Sequence, residues 1–389
     1  MTAPRYVFTC SRRHRVAVDA SRYWASARCP TCKSPVDGMR TARVLQWMRG
    51  AAPRSRVRIT PALVLTPLDG LGWLLVLFSL LLAFIYHTFG DRTWWGTALI
   101  YTGRWPWLLP ILLLVPLAIA WRRTALVPLA LAALIVMGPV MGGTLSTAPL
   151  LAGSGKTLRV LTFNVEGGPV VGLRLRELLD ATRPDIAGFQ ECGLPMQEAI
   201  GRLEGWTVTD TTSGVCFISR YPLRSPPVRM HAGDFRAAGG SAEVKRYEVM
   251  APIGTVTVFV LHLETPRHGV EHLLTDPTNA PRAIQANNLL RDTESRVVRR
   301  WVDSTAGARI VMGDFNLPVE SIIWQQYWSS LDDSFNAAGN GWGFTKLNGW
   351  IRVRIDHVLL DDRLKAVGAH VGPDWGSDHL PFMAEVQWR

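Results

Sequence analysis

Val311–Pro318 reads VMGDFNLP, and the apolar run Ala308–Met312 leads straight into it. This is the pattern of a buried strand whose C-terminal end delivers a carboxylate and a carboxamide to the surface. In extended chain Asp314 and Asn316, two residues apart, point to one face. Gly313 just before them lets another group approach the backbone closely. An acid beside an amide suits metal-assisted chemistry on a phosphate, because the acid handles a proton or a cation and the amide holds an oxygen. Asp and Asn at a strand end are also common turn formers, so the surroundings must decide between a site and a turn.

Around this stretch, residues 157–389 alternate strand-like runs with amphipathic helices. Strands are expected at Leu158–Asn164, Asp185–Phe189, Val215–Ser219, Tyr247–Met250, Thr255–Glu264, Arg309–Phe315, Ile355–Leu360 and Phe382–Trp388. Helices are expected at Val170–Asp180, Met196–Leu203, Ala280–Ser304 and Val319–Trp328. Polar residues recur where the apolar strands end: Asn164, Glu191, His262, Asp314, Asn316, Asp356, Asp378 and His379. Singly each has a plain structural role. His262 fits a satisfied core histidine, Asp356 a buried partner of Arg354, and Asn164 a turn. As an ordered set they point to one site.

The motifs TFNVE, GFQE, LHLE, MGDFN, RIDHVLL and GSDHLP stand in this order over nearly all of 157–389. The set resembles the endonuclease/exonuclease/phosphatase superfamily, the deoxyribonuclease-type fold. The resemblance implies a four-layer α/β sandwich, with two packed β-sheets flanked by helices and the site at one end. It implies Glu191 as principal ligand of Mg²⁺ (or Mn²⁺), with Asn164 beside it and Asp378 as a second carboxylate near the metal. Hard oxygen ligands suit such an ion. His379 would activate the attacking water or orient the phosphate, and Asp356 would hold its tautomer. Asp314 would act on the nucleophile or leaving group, while Asn316 and His262 would bind phosphoryl oxygens.

Upstream, the composition changes twice. Residues 1–60 carry 13 Lys+Arg against 2 acids, so 13 − 2 = +11 accounts for the whole net charge of +11. Residues 151–389 carry 25 Lys+Arg and 27 Asp+Glu, a balance of 25 − 27 = −2. The high isoelectric point therefore describes the N-terminal region, and the C-terminal half has no overall attraction for a polyanion such as DNA. Cys29-Pro-Thr-Cys32 has the spacing with which two thiolates grip one zinc from a tight turn. Cys10 and His14 would complete a Cys₃His tetrahedron; incidental thiols or a redox pair are the other readings. The segments expected are a zinc ribbon over 1–38, a basic linker over 39–67, a membrane region over 68–150 and the catalytic domain over 151–389.

Leu71–Phe89 is 19 residues without a formal charge, long enough to cross about 30 Å of hydrocarbon. Trp105–Trp121 and Thr124–Leu145 are two further apolar runs, separated by Arg122 and Arg123; Trp94–Thr102 is too short for a fourth. By the positive-inside rule the Arg-rich N-terminus and the Arg122-Arg123 turn are cytoplasmic, and three spans leave the catalytic domain on the outer face. Gly153–Thr157, GSGKT, is a linker and not a phosphate loop, because the first glycine of that motif would fall at position 150, which is Leu. This layout resembles the membrane-anchored branch of the superfamily associated with teicoplanin resistance, although the Cys/His-bearing N-terminus departs from it. It implies a multi-pass phosphohydrolase acting on a lipid-linked phosphate or pyrophosphate. The alternatives are an outward-facing nuclease, with nucleic acid a less favoured partner, and an inactive membrane adaptor.

Overall fold

The computed structural model describes residues 5–10, 12, 14–19, 28–34, 66–151, 155–212, 214–230, 233–236, 239–349 and 351–389. The basic linker expected over 39–67 falls almost wholly outside them, as do Gly153 and Ser154. The chain divides into two compact units, Met1–Val64 and Leu65–Arg389.

In the first unit β1 (Arg5–Thr9) pairs antiparallel with β2 (Arg15–Asp19). Cys10 leaves β1 into a turn closed by its own N–H donating to the His14 carbonyl at 3.0 Å.

The second unit opens with the apolar helices. α1 spans Pro67–Thr88 and starts in a capping box between Thr66 and Asp69, two reciprocal bonds that satisfy orphan amides of the first turn. After a 3₁₀ turn at Gly90–Arg92 come α2 (Trp94–Tyr101), α3 (Leu109–Trp121) and α4 (Leu126–Ile135). Two stretches, Pro67–Thr88 and Arg123–Val140, are long and apolar enough to cross a membrane. The expected middle span is shorter: Trp105–Trp121 is bent by 76° from α2. Asp69 at the start of α1 accepts from Arg122 Nε at 3.1 Å and Thr124 Oγ1 at 2.8 Å. At the other end His87 meets the Pro139 carbonyl at 3.1 Å. α1 and α4 thus run parallel, with α3 returning between them. Leu74, Leu77, Leu113 and Leu134 are exposed along these helices, as lipid-facing side chains are.

Among the described residues fourteen further strands follow: β3 (Leu158–Asn164), β4 (Ile186–Gln190), β5 (Val208–Asp210), β6 (Cys216–Ser219), β7 (Val228–Arg229), β8 (Glu243–Ala251), β9 (Gly254–His262), β10 (Ala308–Asp314), β11 (Asp332–Asp333), β12 (Lys346–Asn348), β13 (Ile351–Val353), β14 (Asp356–Leu360), β15 (Leu364–Val371) and β16 (Phe382–Trp388). One six-stranded sheet has the order β15-β16-β3-β4-β6-β5 and the other β11-β14-β10-β9-β8-β7, with β12-β13 a separate hairpin. Side chains alternate as the period of a strand requires. Leu158 and Val160 join Val256, Val258, Val260, Ile310 and Met312 between the sheets. Leu161 and Phe163 turn outward onto the helices of 169–182 and 194–201. Phe259 and Val311 turn the other way, into the layer closed by the helix Ala280–Ser304 and Trp324 and Trp328. The result is the expected four-layer sandwich. The expected helix Val170–Asp180 is broken at Arg174, and β15 was not foreseen.

Candidate active site

The alternation that builds the core also aims the site. Asn164, His262, Asp314 and Asp356 share the parity of the inward-facing residues on their strands, so their side chains point between the sheets at the sheet ends. Register brings them level: β10 pairs parallel with β9, setting Asp314 beside His262, and antiparallel with β14, setting Asp314 beside Asp356. β3 and β4 pair parallel with Asn164 beside Gln190. Glu191 is the next residue, and its φ of 50° turns the chain there. Gly313 is required where it stands. Its φ is 147°, and a Cβ added there would lie 1.9 Å from the Leu261 carbonyl oxygen of β9.

Asn164 Nδ2 donates to Glu191 Oε1 at 2.9 Å and to Asp314 Oδ2 at 3.0 Å, so one amide draws two carboxylates together. His262 Nε2 lies 3.8 Å from each of those two carboxylates. His379 Nδ1 is 2.8 Å from Asp356 Oδ2, and its Nε2 is 3.6 Å from Asp314 Oδ2. Asn164, Asp314, Asp356 and His379 are buried, whereas Glu191 and His262 are partly open to solvent. The site therefore has a dry floor and a wet mouth. Asp356 is bound to His379 and not to Arg354, which instead donates to Asn336 Oδ1 at 2.6 Å and lies over the Phe335 ring.

Electrostatics separate the two buried acids. Burial and the neighbouring Asp356 charge raise the Asp314 pKa above the usual carboxylate range. Burial acts the same way on Asp356, but the charge and hydrogen bond of His379 overcome it and hold Asp356 low. His379 is opposed by burial, yet Asp356 and Asp314 together raise it above 6.5. An acid raised beside a histidinium is how a site holds one proton acceptor and one donor at neutral pH.

Asn316 and Asp378 are placed in the neighbourhood but are already engaged. Asn316 Nδ2 donates to the Leu263 carbonyl at 2.8 Å, and its backbone N–H donates to Asp314 Oδ1 at 2.8 Å. Asp378 pairs with Lys346 and lies 3.8 Å from Arg267 Nη2. Its N–H donates to Glu166 Oε2 at 3.2 Å. Lys346 and Arg267 were not anticipated from the sequence, because a lone Lys on a short hairpin and an Arg after a Pro carry no pattern.

The donor set fits a hard divalent cation. Glu191 and Asp314 converge on one amide, Asp356 Oδ1 is buried without a hydrogen-bond partner among the described residues, and single atoms of Asp314, Asp356 and His379 lie within 4.8 Å of one another. Carboxylate-rich clusters of this kind suit a divalent cation.

In the first unit Cys10, His14, Cys29 and Cys32 also gather within 4.8 Å. Cys10 Sγ lies 3.5 Å from Cys32 Sγ and 3.7 Å from His14 Nδ1, and Cys29 Sγ lies 3.9 Å from His14 Nδ1. A tetrahedron with zinc–sulfur bonds of about 2.3 Å and zinc–nitrogen bonds of about 2.0 Å has edges of roughly 3.5–3.8 Å. Hydrogen bonds from Ser34 hold the Cys32 thiol down at about 5, which favours the thiolate that binds metal.

Cys192 and Cys216 form a disulfide that ties the turn after Glu191 to β6. Cys10, Cys29 and Cys32 are free.

Residues 161–379, more than half of the chain, match the model of the Endonuclease/Exonuclease/phosphatase family. Comparison with curated proteins finds no match. Among solved structures, an endonuclease/exonuclease/phosphatase from Beutenbergia cavernae is 18% identical, with 60% of this chain and 72% of that one covered and a TM-score of 0.45. A Neisseria 3′ phosphatase, NExo, bound to product DNA hairpin is 19% identical over 59% of this chain and 100% of its own, TM-score 0.45. D. rerio TDP2 complexed with single-strand DNA product is 15% identical over 60% and 99%, TM-score 0.45. With the polar series from Asn164 to His379 converging at one end of the two sheets, and a family match spanning it, this chain belongs to the endonuclease/exonuclease/phosphatase family.

Proposed function

We propose that this metal-dependent phosphoester hydrolase is anchored by three membrane spans, with its site on the outer face, and cleaves a lipid-linked phosphate or pyrophosphate. The observation that carries the reading is that the site and the apolar helices belong to one compact unit, Leu65–Arg389. Parallel α1 and α4 need a return between them, and α3 supplies it. An odd number of crossings leaves the catalytic domain opposite the Arg-rich end of α1, which the positive-inside rule keeps in the cytoplasm. The Cys192–Cys216 disulfide supports the same side, since such bonds persist in oxidising compartments. A catalytic domain of net charge −2 next to a bilayer favours a headgroup over DNA. The teicoplanin-resistance-type branch shares this layout.

A bound Mg²⁺ would be held by Glu191 with Asn164 and would supply Lewis-acid polarisation of a phosphoryl oxygen. Asp314, with its raised pKa, takes the proton of the attacking water. His379, kept protonated by Asp356, donates from Nε2 to a phosphoryl or leaving oxygen. His262 lines the position of the developing charge, and Asn316, whose amide holds the Leu263 carbonyl, fixes the Asp314 carboxylate through its backbone N–H. Lys346 and Arg267 share Asp378 between them and leave the rim one net positive charge for a second phosphate. In the first unit, Cys10, His14, Cys29 and Cys32 hold a structural zinc.

The test is full-length protein in detergent with polyprenyl pyrophosphate, a phosphodiester lipid and plasmid DNA, in Mg²⁺ or EDTA. Phosphate release from the lipid, lost in Glu191→Ala, supports the reading. Faster cleavage of DNA makes the protein a nuclease, and an inactive C-terminal phosphatase reporter puts the site in the cytoplasm.

A further inference from the structure

A buried polar seam joins the turn that follows α1, together with α2, to the catalytic domain. Asp91 accepts from Ser321 Oγ at 2.5 Å, from the Ile322 N–H at 2.8 Å and from the Ile323 N–H at 3.3 Å, so it caps the helix Ile322–Tyr327. Asn288 Nδ2 donates to Thr97 Oγ1 at 2.7 Å. Arg104 pairs with Glu320 at 2.7 Å, with both side chains under 5% exposed. The last residue of α2, Tyr101, reaches furthest. Its hydroxyl donates to the Asn316 carbonyl at 2.7 Å, beside Arg291 Nη2, which donates to the same oxygen at 3.0 Å.

Asn316 occupies the left-handed region, with φ of 52°, a conformation that a non-glycine residue keeps only when its surroundings hold it. The holds are visible. The side-chain amide bonds the Leu263 carbonyl, the backbone carbonyl takes Tyr101 and Arg291, and the backbone N–H bonds Asp314 Oδ1. That last bond leaves Asp314 Oδ2 for Asn164 and the two histidines. We infer that Tyr101 is a positioning residue for hydrolysis. From the membrane region it clamps the Asn316 peptide, and through that peptide it sets the Asp314 carboxylate. The apolar helices then act as more than a tether, because they complete the support of the site. Asp91 also lies 3.8 Å from Arg291 and so backs the clamp, whereas Arg104, paired with Glu320 and the Val140 carbonyl, anchors the same seam away from Asn316, which separates docking from positioning.

This inference rests on the hydrolytic reading above, so its test carries one readout that needs no activity. Tyr101→Phe and Arg104→Gln are made in the full chain and compared in detergent by hydrogen exchange and by Mg²⁺-dependent hydrolysis of polyprenyl pyrophosphate. Tyr101→Phe is expected to speed amide exchange in 313–318 about tenfold and to lower kcat roughly 5- to 10-fold with KM within twofold, the scale of one lost hydrogen bond. Arg104→Gln, which strands the buried Glu320, is expected to lower the melting temperature, to leave exchange in 313–318 near wild type and to retain kcat below the transition. Unchanged exchange in 313–318 for Tyr101→Phe overturns the clamp, whether or not the wild type hydrolyses the lipid. Equal losses of kcat in both variants would also overturn it, since docking alone would then set the rate. A wild type inactive on the lipid, with exchange behaving as expected, counts against the hydrolytic reading and leaves the clamp standing.

Discussion

Replacing both Cys192 and Cys216 by Ala removes a covalent tie directly behind Glu191. The two half-cystines are 24 residues apart and fully buried, and closing a loop of that length in the unfolded chain is worth about 3 kcal/mol. Alanine, unlike serine, leaves no buried hydroxyl to confuse the result. For a domain of this size each kcal/mol moves the melting temperature by about 2–4 °C, so the expected fall is about 6–12 °C, read by near-ultraviolet circular dichroism on the full chain in detergent. Titration of thiols in denaturant without reductant should find three in the wild type, because five cysteines less two leave Cys10, Cys29 and Cys32. The bond also steadies the Glu191 turn, so the double variant should need more Mg²⁺ for half-maximal protection against heat. An unchanged melting temperature, or five reactive thiols in protein isolated under oxidising conditions, would refute the reasoning and remove one support for the outer-face orientation.

Gly313→Ala should cost more than about 2 kcal/mol, since the new Cβ meets the Leu261 carbonyl and the backbone conformation is one L-residues avoid; urea unfolding measures it. Asp356→Asn should lower kcat by about 10²- to 10⁴-fold with little change in KM, because His379 loses the group that fixes its proton. The same pair predicts a pH dependence in metal-free protein. The His379 pKa is raised by Asp356 and Asp314, so its stabilisation is full below about 6.5 and is lost as pH rises through the raised value. Melting temperatures in EDTA should fall across that window, and Asp356→Asn should flatten the slope. Full-length protein should carry one zinc by elemental analysis, lost in Cys29→Ser/Cys32→Ser; a zinc-free wild type would rule out the ribbon.

The candidate site was legible because its residues sit at the ends of apolar strands, where alternation fixes the face and register fixes the neighbours. Asn164, His262, Asp314 and Asp356 needed only that rule. Glu191 and Asn316 lie just past their strands, where positive φ redirects the chain, so the face expected for Asn316 by simple alternation did not foretell its bond to Leu263. Strand β15, LKAVGAHV, escaped notice because a register shift between Ala366 and Gly368 interrupts its pairing with β16. Trp94–Thr102 reads as too short for a span of its own, and in the structure α2 is the shorter limb of a pair with Trp105–Trp121, bent by 76°. That it docks on the catalytic domain through Tyr101 could not be read locally, since its partners lie 190 to 215 residues away.

The most direct measurement of the central claim is phosphate release from polyprenyl pyrophosphate by the full chain reconstituted in liposomes, with substrate and Mg²⁺ added on the catalytic-domain side. The account predicts release that EDTA stops and Glu191→Ala abolishes, with supercoiled plasmid left intact under the same conditions. Plasmid cleavage that outpaces release from the lipid, or no Mg²⁺-dependent release at all, would contradict it.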